Sequence, residues 1–439
     1  MGSLQFWFDI LSLMFNTLVF TFVTPFFWLV IFIVVMQYRR SVNMEKKLFG
    51  QSINNVGRQT LYSILYGIMG GLFGSIFLLV LGISLDSIGI MYLWPVAILL
   101  FMINPRFLCF AYAGGILAVS SLFLQALQPL FPGLVKMPVF GGIIGGLMEI
   151  HLPGLLALVG ILHLTEAFLI LLSGHRGASP IYLKAPSGKI VGAFSMQRFW
   201  PLPLMGLWAL PVAEISEMFV GSVAMPDWWP LLGTVMSVGV GEKVIYLMIP
   251  LVAGLGYGDL ALSSRPEEKR VKTAYHLALY SVILSATTIA SIYYPPLIIA
   301  AALIAPLGHE FLIKIGNNAE FAAPPLFEAG DETPQVMAVI PGSAAYHSGL
   351  QSEDRLLEIN GYHPQSETEF RHILAMQHGR VYLGISRENR KMTVPLELYP
   401  QKTDAGIGIV FSPGPGAALY VEMKTSSLWE KLRRRFKGS

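Results

Sequence analysis

Charge is what this sequence has least of. Only 13% of its 439 residues are Asp, Glu, Lys or Arg and 54% are hydrophobic, whereas an ordinary soluble domain carries roughly 25% charge. Most of the chain is therefore not built for water. The shortage lies before residue 310, and the residues after it have the charge of a soluble domain, so the boundary marks a change of solvent. Cysteine is also scarce. The single Cys109 excludes an internal disulfide and, lying in an apolar run, reads as a packing residue. The opening "MGSLQFWFDI" has no Lys or Arg, and the run from Ile10 to Gln37 is too long for a signal-peptide core, so the first apolar segment is expected to remain as a span. No glycine-rich stretch is followed by a Lys-Ser/Thr pair, which excludes a phosphate loop.

What is present is a series of long apolar runs. A span needs about 20 mostly apolar residues to cross roughly 30 Å of hydrocarbon. Candidates lie at 12–36, 61–84, 88–104, 107–131, 152–173, 200–222 and 238–261. The uncharged stretch 273–309, interrupted by "YYPP" at 293–296, reads as two further passes hinged at the prolines. The expected architecture is an α-helical polytopic membrane bundle of about eight or nine spans, followed by a small β-rich domain.

Basic residues cluster in the loops. Arg39, Arg40, Lys46, Lys47 and Arg58 lie in one, Arg176, Lys184, Lys189 and Arg198 in a second, and Arg265, Lys269, Arg270 and Lys272 in a third. Even numbers of expected spans separate them, so they share one face with Arg106, and the positive-inside bias makes that face cytoplasmic. Nine spans put the N-terminus outside and the C-terminal domain in the cytoplasm.

The chain divides at 1–315 (transmembrane), 316–334 (an Ala/Pro-rich linker), 335–411 (the β-rich domain) and 412–439 (a basic tail). The tail "SSLWEKLRRRFKGS" interleaves Lys431, Arg433, Arg434, Arg435 and Lys437 with Leu428, Trp429, Leu432 and Phe436. That is the pattern of an amphipathic helix on anionic lipid headgroups, with a solvated disordered end as the alternative, and membrane attraction explains the basic residues better than nucleic acid does. Within 335–411 come a strand "QVMAVI", a turn and short helix "PGSAAYHSGL", a strand "DRLLEI", a turn "NGYHP", a helix "ETEFRHILAM" and strands "RVYLGISR", "KMTVPLEL" and "AGIGIVF".

The order and wording of these pieces resemble a PDZ domain of the bacterial kind. Glu353 stands where that family has Gly, and no Gly-rich carboxylate loop precedes Gln335. The resemblance implies a groove in which an extended peptide adds as one more strand. The candidate peptide-binding residues are Gly406, Ile407, Gly408 and Ile409 on the strand edge, opposed by Phe370 and Ile373. Leu374 on the same helix reads as core.

Ionisable residues also occur at membrane depth. His309 and Glu310 begin like a zinc-protease H-E-x-x-H, but position 313 is Ile, so the second ligand is missing and no metal or catalytic set is expected. His163 and Glu166 share a helix face at i, i+3, as do Glu214 and Glu217 in the expected next span. Two readings stand: an ion or proton path as in a transporter, or hydrogen bonds that fix helix packing. Packing is preferred, because no internal repeat or substrate site is visible.

A polytopic membrane region ending in one PDZ-like domain, without a complete catalytic set, resembles the MinJ-like cell-division topological determinants. That resemblance implies a non-enzymatic scaffold in the bacterial cell membrane, needing no cofactor. Its cytoplasmic PDZ-like groove recruits protein partners and links a DivIVA-like scaffold to a MinD-like ATPase in division-site selection. An inactive intramembrane site-2-type protease relative, or an ion-coupled transporter with a regulatory PDZ domain, are the alternatives.

Overall fold

Proline and glycine punctuate the apolar runs and set where the elements break. A computed structural model describes residues 3–107, 109–185, 187–211, 223, 225–226, 229–232, 244–328, 333–398, 407–414 and 420–421. The expected span 12–36 is two helices, α1 (Ser3–Val23) and α2 (Pro25–Phe49). Pro25 sits at the first helical position, where its missing N–H is harmless and its fixed φ starts a new helix. α2 ends on Gly50 in the left-handed region, and Asn55 caps α3 (Val56–Leu81) by accepting from Arg58 N at 3.1 Å. Next come α4 (Ile90–Ile103), α5 (Phe110–Leu127), the short α6 (Gly141–Met148) and α7 (Leu152–Ser173).

The two expected spans at 200–222 and 238–261 fold differently. After β1 (Ser179–Lys184), the described parts form two long antiparallel strands, β2 (Ile190–Pro211) and β3 (Val244–Ala261), paired from Phe194↔Ala261 to Pro211↔Val244. Apolar composition cannot separate a buried strand from a buried helix. Proline can: Pro201 and Pro203 would break a helix, but at a spacing of two they lie on one edge of a strand, where the absent N–H is no loss.

That edge faces helices rather than another strand, and four of its polar groups have partners there. Phe199 N donates to Tyr38 Oη at 3.2 Å, Met205 N to Ser75 Oγ at 2.8 Å and Ala209 N to Ser84 Oγ at 3.1 Å, while Leu207 O accepts from Leu85 N at 2.8 Å. An open strand edge in hydrocarbon costs several kcal/mol per unsatisfied group, and these contacts reduce that cost at four points along β2. The glycines of α3 make room for it. A Cβ on Gly67 would stand 2.2 Å from Pro201 O, and one on Gly71 2.3 Å from Pro203 O. The stripe Gly67, Gly70, Gly71 and Gly74 is thus a close-packing face, against a strand as well as a helix.

The chain continues as α8 (Pro266–Tyr293) and α9 (Leu297–Ala322), separated at Tyr294–Pro296. Among the described residues seven helices, α1, α2, α3, α5, α7, α8 and α9, are long and apolar enough to cross a bilayer. α4, with 14 residues, is about 21 Å long.

Residues 316–334, read as a linker, hold the last turns of α9 and β4 (Phe327–Glu328). β4 joins the sheet beside β2, pairing Val191↔Glu328 and Gly192↔Phe327. The β-rich domain follows: β5 (Val336–Val339), α10 (Ala344–His347), β6 (Arg355–Ile359), α11 (Glu367–Ala375), β7 (Gly379–Arg387), β8 (Arg390–Leu398) and β9 (Ile409–Phe411). β6–β7–β8 form one antiparallel sheet and β5–β9 another, around a core that includes Val336, Leu356, Phe370, Val381, Leu396 and Ile409. Asp354 is fully buried and held by a two-pronged Arg387 contact, both N–O distances 2.7 Å, and by Gln351 N at 2.8 Å.

A PDZ groove docked on the membrane domain

β9 is the strand that the C-terminal "GIGIVF" supplies. Its even-numbered residues bond inward to β5: Ile340 N donates to Gly408 O at 2.8 Å and Ser412 N to Gln335 O at 2.9 Å. Ile409 and Phe411 therefore turn their backbone polar groups to the opposite edge, the one an added peptide strand would use. Gly408 lies at φ 81, a conformation that favours glycine, and a Cβ there would stand 2.1 Å from Ser343 Cβ. Ile407 packs partly buried against the domain core, and Gly406 lies outside the described residues.

α11 is started by Ser366, whose hydroxyl accepts from Glu369 N at 3.1 Å, while Glu369 reaches back to Gln365 N at 2.8 Å. Phe370 and Leu374 point into the core, Phe370 fully buried with its ring 5.4 Å from that of Phe411. Ile373 is half-buried and is the one of the three that reaches the surface. Helix and strand thus lie side by side, with Ile373 and the outer edge of β9 at the surface.

The groove is not free of the membrane domain. Tyr182 of β1 donates its phenol hydrogen to Phe411 O at 2.8 Å, and the Arg371 guanidinium covers the Phe411 ring at 5.0 Å. Burial, with Glu367 nearby, pushes the Tyr182 phenol well above its ordinary value, so it stays a donor. Met337 and Val410, on the other face of the β5–β9 pair, are buried in the apolar core of the membrane domain. A Cβ on Gly192 would stand 2.9 Å from Met337 Sδ.

Polar clamps complete the docking. Arg265, at the start of α8, makes a forked contact with Glu353 at 2.6 and 2.9 Å. Glu353 sits at φ 75, a left-handed conformation that glycine adopts without strain. The carboxylate at this turn, where the PDZ pattern has Gly, is the group that ties the domain to α8, and it holds the Arg265 guanidinium further above its usual range. Within the membrane domain, Glu320, buried at the end of α9, accepts from Leu262 N, Ser263 N and Ser264 Oγ at 2.8–3.0 Å, with Lys269 at 3.5 Å.

Among the intramembrane candidates, His163 is buried on α7 and meets two residues that the sequence did not connect to it. Its Nε2 lies 3.1 Å from Cys109 Sγ, and His309 Nε2 lies 3.6 Å from the same sulfur. Glu166 is one turn along α7; Glu214 and Glu217 lie outside the described residues. Glu310 contacts Arg106 and accepts from Tyr112 Oη at 2.7 Å. No local spacing could reveal this cluster, because its members come from α5, α7 and α9.

The architecture defines a class: a polytopic membrane protein carrying a C-terminal PDZ domain. Residues 335–387 match the PDZ domain family, so β8 and β9 fall beyond the matched segment. Over most of its length the chain is similar to one curated protein in particular, the cell division topological determinant MinJ of Bacillus subtilis (strain 168). The two are 26% identical over 366 residues, covering 83% of this chain and 85% of that protein. The chain is thus MinJ-like, with a membrane region and a C-terminal PDZ domain in the same chain.

Proposed function

We propose that this chain is a membrane-anchored adaptor of bacterial division-site selection. Its PDZ groove, formed by the outer edge of β9 beside α11, recruits an extended segment of a partner protein. Similarity to MinJ along both regions supports the division role, and the carrying observation is the β5–β9 pair packed on the membrane domain through Met337 and Val410 and tied to it by Glu353. An adaptor of this kind transmits position, and rigid docking suits that task.

The same domain docks on the basic face. Its contacts run to Arg265 and Tyr182, which are close in sequence to Lys184, Lys189 and Arg270. Because these contacts lie among the chain's clustered basic residues, the positive-inside bias favours a cytoplasmic PDZ domain. On this reading the partners are a DivIVA-like scaffold and a MinD-like ATPase, and anionic headgroups hold the basic tail. The role requires no chemistry of the chain, and Glu310, engaged by Arg106 and Tyr112, is poorly placed as a general base.

The test is co-isolation from the native membrane. Full-length protein should recover both partners, and a double substitution on the groove surface should lose at least one while leaving membrane insertion intact. Unchanged recovery would reject the groove as the recruiting site. A reporter fused after Ser439 that is active only outside the cell would reject the adaptor reading itself.

A further inference from the structure

Three helices converge on one sulfur. Cys109 caps the N-terminus of α5, His163 lies midway along the buried α7, and His309 comes from α9; their ligand atoms all lie within 4.8 Å of one another. His163 Nδ1 stands 2.7 Å from Val159 O, and a carbonyl only accepts, so Nδ1 carries the proton and Nε2 turns its lone pair to Cys109 Sγ. Fixing a ligating ring by a hydrogen bond from its other nitrogen is the usual outer support of a metal-bound histidine. His309 lacks such support: its Nδ1 is buried with no partner among the described residues, so a bond through Nε2 would be what holds this ring.

The spacing fits a tetrahedral ion. Bonds of about 2.3 Å to thiolate and 2.0–2.1 Å to imidazole set sulfur and nitrogen of one site about 3.5 Å apart. The two observed S–N separations are 3.1 and 3.6 Å. Rings enclose the cluster, Tyr280 edge-on to His163 at 5.5 Å and Tyr112 edge-on to His309 at 5.3 Å, and Tyr280 is itself pinned to Ala305 O at 2.6 Å. One sulfur and two imidazoles in an aromatic shell is a borderline-soft donor set, unsuited to Mg2+ or Ca2+.

We propose that Cys109, His163 and His309 bind a single metal ion of the Zn2+ type, which clamps α5, α7 and α9 together. Binding exchanges the Cys109 thiol proton, released to solvent, for the metal bond. Three protein donors leave a fourth position for water. Glu310, the carboxylate beside His309, is already held by Arg106 and Tyr112, so we read the site as a structural clamp rather than a hydrolytic centre.

Untagged full-length protein in detergent, stripped with a chelator, decides the matter by equilibrium dialysis against Zn2+ and, separately, Co2+. The expected result is one ion per chain, a thiolate-to-Co2+ charge-transfer absorption, and loss of that absorption in Cys109→Ser. Zn2+ affinity should fall more than about tenfold in His163→Gln and in His309→Gln. Absence of stoichiometric metal on the wild-type protein overturns the proposal, and so does Co2+ binding without the thiolate band. The wild-type measurements stand even if a variant fails to fold.

Discussion

Tyr182 and Phe411 join the two halves of this protein: the phenol of the membrane domain's first strand donates to the backbone carbonyl of β9, the strand proposed to line the groove, at 2.8 Å. A peptide adding to the outer edge of β9 would need that carbonyl. On the proposed reading, the bond makes the membrane domain a competitor for the groove.

Removing the competitor should tighten peptide binding. Tyr182→Phe keeps the ring against Phe49 but loses the donor. One neutral hydrogen bond contributes about 0.5–1.5 kcal/mol net, so affinity for a groove-binding segment of a partner should rise about 2- to 12-fold. Fluorescence anisotropy on the full-length protein in nanodiscs reads this directly; equal or weaker binding in the variant would show that the bond is only a docking contact.

Glu353 presents a separate trade. Its left-handed backbone is strained for any residue but glycine, at roughly 1–3 kcal/mol, yet its carboxylate holds Arg265. Glu353→Gly should raise the stability of the PDZ domain while loosening its attachment, seen as faster proteolysis near residues 323–334. Arg265→Ala should loosen the attachment without the stability gain. Identical melting of the two variants would refute this separation.

The close packing of α3 on β2 predicts which small residues cannot change. Gly71→Ala puts a methyl where Pro203 O stands, and both backbones are locked, so the folded yield should collapse, whereas Gly142→Ala, with nothing within 4 Å, should be silent. Ser75→Ala is milder: it orphans the buried Met205 N–H, at about 1–3 kcal/mol. Thermal unfolding in detergent should rank them Gly71→Ala, Ser75→Ala, Gly142→Ala, from most to least damaging.

Legibility of the sequence followed the range of the interactions. The PDZ pieces were readable because their signals are local: the Pro-Gly-Ser turn before α10, Ser366 capping α11, and the alternation in β7 and β8. The hairpin was not, since "WPLPLMGLWALP" is apolar enough for a span, and only the two-residue spacing of Pro201 and Pro203 hinted at a strand edge. The Cys109–His163–His309 cluster was invisible for a different reason. Each member has an unremarkable helical neighbourhood, and only the packing of α5, α7 and α9 brings them together. The groove was half legible, because sequence spacing puts Phe370 and Ile373 on one side of α11 without saying which of them the core takes.

That distinction yields the sharpest test of the groove. Phe370 is fully buried against Phe411, so Phe370→Ala should cost about 3–5 kcal/mol and abolish partner binding by unfolding the domain. Ile373 is half-buried, and an arginine there keeps its stem on the apolar surface and its charge in water. Ile373→Arg should therefore melt within a few degrees of wild type yet lose the partner, because a charge at the groove wall rejects an apolar peptide side chain. Melting of the full-length protein paired with partner co-isolation separates the two. If Ile373→Arg binds normally, α11 is not the groove wall, and the partner contacts another surface of the domain.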